Sequence, residues 1–166
     1  MKKLLVVIDY QNDFVNGSLG FQEAVALEDY LADLIKEYHN NNDDVIFTYD
    51  THQKNYLTTQ EGKNLPVAHC LENTEGWQLY GKIHDLAKND KKIIKETFGS
   101  LALGNYLKNK HISHHHLALD RTQLVQRNTY LHLLNKILQS KTDHQIKHLI
   151  PNQHPTYRYP PWNLLL

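Results

Sequence analysis

The sequence predicts an α/β protein built on a doubly wound parallel sheet of the Rossmann-type, three-layer kind, incomplete at its C-terminal edge. Three observations lead there. Runs at 4–8 (LLVVI) and 45–49 (VIFTY) are β-prone without alternation, as strands buried on both faces of a parallel sheet require. A stretch of helical period separates them, which is the βαβ rhythm. Each predicted strand also ends on a side chain able to do chemistry, Asp9, Asp50 or Lys95, at the edge where open α/β sheets hold their ligands.

Size and composition narrow the class. A chain of 166 residues can bury the core of one compact domain. Its 40% hydrophobic and 22% charged content is ordinary for a globular protein. No apolar run reaches the length of a membrane span, and the first apolar run is too short for a signal peptide and lacks a small-residue cleavage site. A cytoplasmic protein is the resulting expectation. Cys70 is the single cysteine, which rules out a disulfide within the chain and favours a reducing compartment. Formal net charge of +0 gives no support for a nucleic acid or a membrane as partner, and a small molecule is the partner expected.

Taken in order, 4–8 is the first strand, and Asp9 closes it as either a turn residue or a ligand-edge carboxylate. A glycine-containing loop, NGSLG, follows. Residues 23–38 place Val25, Leu27, Leu31, Leu34, Ile35 and Tyr38 near helical period and form the first crossover helix. The asparagine and aspartate run at 40–44 is a turn, and 45–49 is the second strand. A loop to about Cys70 is far longer than a usual connection, which marks it as functional. A turn at 74–77 leads into a short helix ending near Leu86; 91–95 is the third strand and 101–110 a helix.

The long loop carries the chemistry. Asp50 and His52 open it, His69 closes it and Glu61 lies between. Imidazoles and carboxylates gathered at a strand end make a mixed N/O site suited to Zn²⁺, Mn²⁺ or Fe²⁺, open to water because protein fills only some positions. An isolated Asp-x-His is more often a helix cap or a surface polar pair. Convergence with Asp9 and Lys95 at one sheet edge favours the site. Beside a carboxylate and a cation, a partly desolvated lysine stabilises developing negative charge.

Composition breaks near residue 110. All seven glycines and 16 of the 18 acidic residues precede His111, whereas eight of the twelve histidines follow from there. Before it 12 Lys and Arg face 16 acids, and after it 6 face 2. Halves of one natural domain seldom differ so much, since turns in both need glycine. The sequence therefore divides into 1–110 and a His- and Pro-rich tail, 111–166. His114, His115 and His116 alternate in direction if extended, so adventitious metal binding is their expected property. Residues 130–139 have helical spacing, while Pro151, Pro155, Pro160 and Pro161 disfavour regular structure at the end.

Three stretches, LLVVIDYQNDFVNGSLG, DTHQKNYLTTQEGKNLPVAHC with NTEGWQL, and IIKETFGSLALG, resemble the isochorismatase-like cysteine hydrolases and within them the nicotinamidases. The resemblance covers about residues 1–110. It implies an isochorismatase-like fold, a small amide substrate, and metal-assisted Asp/Lys/Cys conversion of nicotinamide to nicotinate and ammonia, a step of NAD biosynthesis by pyridine nucleotide salvage. It implies that Asp9 is the general base and Lys95 its triad partner. It implies that Asp50, His52 and His69 bind a divalent metal, zinc first, with Glu61 a further ligand directly or through water. Phe14 is similar to the residue lining the family's substrate pocket, and Trp77 packs near it. A homo-oligomer is compatible with this assignment.

The family's nucleophilic cysteine follows the fourth strand, which puts it near 118–128 here. That segment reads ALDRTQLVQRN and has no cysteine. Cys70 follows His69 in the metal loop and does not correspond to it. The chain is therefore expected to be inactive or nearly so, its tail replacing the last strands and helices through a shifted reading frame. Two alternatives stand beside this: a metal-dependent, water-based hydrolase with Asp9 as base, and a noncatalytic metal- or ligand-binding remnant.

Overall fold

The computed structural model describes residues 2–97 and 99–109 and the strands at 114–119 and 146–148. Its strands are β1 (Lys3–Ile8), β2 (Asp44–Asp50), β3 (Lys91–Lys95), β4 (His114–Leu119) and β5 (Ile146–His148), all paired in parallel in the order β3-β2-β1-β4-β5. Helices α1 (Asn12–Val15), α2 (Gln22–Ala26), α3 (Glu28–Asn40), α4 (Gln60–Asn64), α5 (Gly81–Leu86) and α6 (Leu101–Asn109) connect or flank them. This is the parallel α/β sheet that the strand pattern predicts.

The unbroken apolar run of β1 is explained by the two cores it serves. Leu5 and Val7 point into a cluster with Leu31, Ile35 and Ile83, beneath α3 and α5. Leu4, Val6 and Ile8 point the other way, to Ile46, Ile93, Leu103 and Leu107. Each fully buried side chain of this kind contributes roughly 1.5–3 kcal/mol relative to exposure, so the strand anchors both layers.

The helix predicted over 23–38 is two. Leu27 N–H bonds the carbonyl of Ala24 at 3.2 Å, an i to i−3 bond that tightens the end of α2 before α3 begins. At its other end α3 stops in a Schellman motif. Asp43 N–H reaches Tyr38 O at 2.9 Å and Asn42 N–H reaches His39 O at 3.0 Å, with Asn42 left-handed at φ 53°. Asparagine tolerates that conformation better than most residues, which is why the Asn-rich turn sits there.

The long loop predicted over 51–70 contains structure of its own, a 3₁₀ turn at Tyr56–Thr58 and then α4. Thr59 caps α4 by accepting the Gly62 N–H at 3.0 Å. Thr59→Ala is expected to lower stability by about 1 kcal/mol, read as a fall in the thermal midpoint, with no change indicating that the cap contributes nothing.

The tail departs most from expectation. Where the sequence offers no counterpart of the last strands, the backbone forms β4, paired with β1 from Lys3↔His114 to Ile8↔Leu119, and the three-residue β5 beside it. The second edge of β1 must find partners for its backbone groups, and a strand supplies them whatever its side chains. Three consecutive histidines hide that strand from any apolar pattern. The expected helix at 130–139 and the Pro-rich end lie outside the described residues.

Candidate metal centre and acid–base pair

Parallel pairing delivers the predicted residues to one rim. Lys95 stands opposite Asp50 in the β2–β3 register, and Asp9 follows Ile8, which stands opposite Thr48. Asp9 turns left-handed at φ 50°, so the chain bends out of the strand at the carboxylate. Lys95 Nζ then lies 2.6 Å from Asp9 Oδ2 and 3.0 Å from Asp50 Oδ1. Thr48 Oγ1 donates to Asp9 Oδ1 at 2.5 Å. Asp9, Asp50 and Lys95 are all buried.

Burial and pairing compete at each group. Burial pushes the Asp9 carboxyl up; the Lys95 ammonium pulls it down, Asp50 pushes it up again, and the net direction is upward. At Lys95 burial opposes the charge, but Asp9 and Asp50 outweigh it and hold the ammonium above its usual value. Asp50 is likewise disfavoured as an anion by burial, yet His52, His69 and Lys95 together hold it well below the carboxylate range. The result is one anion fixed on Asp50, one persistent cation and one carboxyl, Asp9, drawn towards proton exchange.

The second half of the site is built from the 51–70 connection. Ligand atoms of Asp50, His52 and His69 lie within 4.8 Å of one another, and all three residues are buried. His52 Nε2 is 3.0 Å and His69 Nε2 3.5 Å from Asp50 Oδ2, and the two rings stand at 78°. His69 Nδ1 donates to Val67 O at 2.7 Å, so in the neutral ring Nε2 carries the lone pair and faces Asp50. Among the described residues, buried His52 Nε2 has no aligned hydrogen-bond partner, its approach to Asp50 Oδ2 being a close ionic contact only. An orphaned ring nitrogen and an oriented one, both turned on a carboxylate, fit a divalent cation of the kind N/O donors hold. Glu61 lies at the margin, Oε1 3.7 Å from His52 Nε2. Its carboxyl is pushed up by burial and by Asp50, against the pull of His52 and His69.

Several residues that sequence did not single out position these groups. The Gln11 amide meets Asp50 on both sides, Nε2 donating to Asp50 O and Oε1 accepting Asp50 N–H, each at 2.8 Å, and Nε2 also reaches Trp77 O. Tyr56 packs against both imidazoles, 4.5 Å from the His52 ring and 4.9 Å from that of His69, with its hydroxyl bonded to Leu65 O. The D-x-Q-x-D-F spacing contains Gln11, but nothing in the sequence says that it pairs with a residue 39 positions away.

Phe14 stands edge-on to the His69 ring at 5.4 Å, beside the metal-site residues. Trp77 lies against the end of β2. Its ring packs on Tyr49 at 5.1 Å and its Nε1 donates to Thr51 Oγ1, which ties it there. Cys70 is fully buried. Burial pushes its thiol up, with Asp50, Asp13 and Asp9 adding to the effect, which suits an inert protonated thiol rather than a nucleophile.

Comparison with known proteins agrees with this architecture. The family model described as Isochorismatase domain matches residues 3–135, running past the stretch in which motifs are legible. A Bacillus subtilis (strain 168) protein named uncharacterized isochorismatase family protein PncA is 32% identical over 148 residues, spanning 82% of this chain and 80% of that one. The crystal structure of nicotinamidase/pyrazinamidase PncA from Bacillus subtilis superimposes with a TM-score of 0.72 at 30% identity, over 88% of this chain and 82% of that one. The pyrazinamidase/nicotinamidase of Streptococcus mutans UA159 gives 0.71 at 25%, over 87% and 83%. With the family model covering most of its length, the chain belongs to the isochorismatase family.

Proposed function

We propose that this chain is an amidohydrolase of the nicotinamidase kind by descent, keeping the base, the lysine and the metal ligands but lacking the thiol. The observation that carries the reading is the meeting of Asp9, Lys95, Asp50, His52 and His69 at one sheet rim. Similarity to proteins named nicotinamidase supports the substrate class, a small heteroaromatic amide. Asp50, His52 and His69 would hold a divalent cation, zinc first, with Glu61 the candidate for a further donor. When bound, the cation supplies Lewis acidity and a hold on a ring nitrogen of the substrate.

The chain's own residues would act around it. Asp9 exchanges a proton with the attacking group and the leaving nitrogen, since burial lifts its carboxyl towards that range. Lys95 keeps Asp9 in place and balances charge that develops nearby. Tyr56 and Phe14 exclude water from the imidazoles. No cysteine stands near 118–128, where the thiol would attack. Purified protein is therefore expected to release no ammonia from nicotinamide above background; turnover at a rate usual for amidases would overturn the assignment.

Water-based hydrolysis is a second reading, favoured by three protein donors, a number that leaves coordination positions open. It requires turnover that a chelator abolishes and that Asp50→Ala lacks. A noncatalytic remnant differs from it by binding nicotinamide without turnover. The division near residue 110 goes with a shifted frame in the gene. Translating the alternative frames downstream of the Lys110 codon is expected to reveal a cysteine-bearing segment; its absence from both alternative frames would end that explanation.

A further inference from the structure

The D-x-Q-x-D-F stretch holds a second carboxylate that the site as described does not use. Asp13 sits on α1, and none of its hydrogen bonds goes to a metal-site side chain. Its Oδ2 instead accepts the backbone N–H of Cys70 at 2.7 Å. Cys70 is left-handed at φ 45°, a conformation costly for a residue with a Cβ. Cys70 O accepts the backbone N–H of His52 at 2.9 Å, and His52 O accepts Glu72 N–H at 2.8 Å, a short parallel bridge between the two arms of the metal loop. Cys70 thus joins both imidazoles, His69 by covalent adjacency and His52 by a backbone bond.

The surroundings of Asp13 keep its carboxylate in that one place. A Cβ on Gly76 would stand 2.1 Å from Asp13 Oδ2, and one on Gly17 2.5 Å from Oδ1, so both backbones press on the carboxylate with no room for a side chain. The Asp13 N–H donates to Gly76 O at 3.0 Å, and Ser18 N–H approaches Oδ1 at 3.4 Å. An acceptor oxygen fixed at 2.7 Å supports a backbone amide held in an unfavourable conformation.

We propose that Asp13 is a positioning residue for the metal centre: by accepting the Cys70 N–H it holds the left-handed turn that sets His69 against His52 and Asp50. The inference rests on the metal reading above and adds a residue three elements removed from the donors. Asp13 acts by the placement of one acceptor oxygen. Its charge is secondary, because the turn needs an acceptor at that point and the donors already have Lys95 and Asp50 for electrostatic balance.

The full-length protein, titrated with Co²⁺ and followed by the visible absorption of the bound ion, tests this. Asp13→Ala is expected to weaken Co²⁺ binding about 10–100-fold, as loss of an outer-shell partner does, and to change the absorption envelope. Asp13→Asn keeps an oxygen at the same distance, gives up only the 3.4 Å approach of Ser18, and is expected to bind close to the parent. Asp13→Glu keeps the charge but displaces the oxygen, and is expected to weaken binding as alanine does. Asn12→Ala removes a neighbouring tie, the 2.7 Å bond to Glu75 O, and is expected to leave Co²⁺ binding unchanged. A parent-like Asp13→Ala, or binding kept by glutamate and lost by asparagine, overturns the proposal. Should Asp13→Ala not fold, the asparagine and glutamate pair decides it alone. A parent protein that takes up no Co²⁺ overturns the metal reading together with the inference, whereas equal binding by the parent and every variant overturns only the inference.

Discussion

Lys95→Met is expected to destabilise the fold by about 3–5 kcal/mol, the cost of removing one partner from a buried ion pair. The lysine sits between two carboxylates at 2.6 and 3.0 Å with 2% of its side chain exposed. Without it Asp9 and Asp50 confront each other across a dry rim, and one must take a proton or draw in water. Because protonation relieves the clash, the deficit shrinks as pH falls. Urea unfolding at neutral and acidic pH measures both effects, and a loss under about 1 kcal/mol at neutral pH, the range of an exposed pair, would show that the triad is far more hydrated than its burial indicates.

Zinc held at one concentration, about a hundred times its dissociation constant at neutral pH, is expected to raise the unfolding free energy there by about 2.7 kcal/mol, an increment that Asp50→Ala abolishes. The increment depends on pH in a direction fixed by His69. In the metal-free protein burial works against charge on that ring, but Asp50, Val67 O and Glu61 outweigh it and hold its pKa above 6.5. A folded-state value above the unfolded one adds stability that is full below the unfolded value and disappears as pH rises through the folded one. Asp9, raised by burial, works in the same sense at lower pH. Zinc instead requires the rings neutral, so its binding strengthens as pH rises. Chelated protein should therefore lose stability towards alkaline pH while the zinc increment grows. Urea midpoints at pH 5.5 and 8, with chelator and with Zn²⁺, test this, and an increment of the same size at both would refute it.

The contrast between Asp9 and Gln11 shows what a sequence makes visible here. Asp9, Asp50 and Lys95 are legible because strand ends in a parallel sheet share one rim, so a residue's place along its own strand locates it in space. Gln11 is two residues away from Asp9 and as deeply buried, yet its work is to mimic a strand partner for Asp50, a contact set by the approach of two elements. Thr48 and Tyr56 are obscure for the same reason, one reaching across to Asp9 and the other packed against two rings. Local structure failed to show where it was short or chemically disguised. Helix α4 has five residues and one is glycine, too few for a period, and β4 opens with three histidines. For Trp77 the family motif fixes the position in the chain and leaves the direction of its ring, which packs on Tyr49, unspecified.

The place of β1 in the middle of the sheet also governs how the chain is made. Its partner on one flank, β2, follows after some forty residues, but Lys3 meets His114 on the other. On the ribosome β1, β2 and β3 can assemble early, while the free flank of β1 waits for more than half the chain to be synthesised, at about 5–20 residues per second. For those seconds an apolar strand with unpaired backbone is a template for any neighbouring nascent chain. Long-range parallel pairing of this sort is slow to form, so the yield of native protein in cells depends on how soon residues 114–119 emerge and dock.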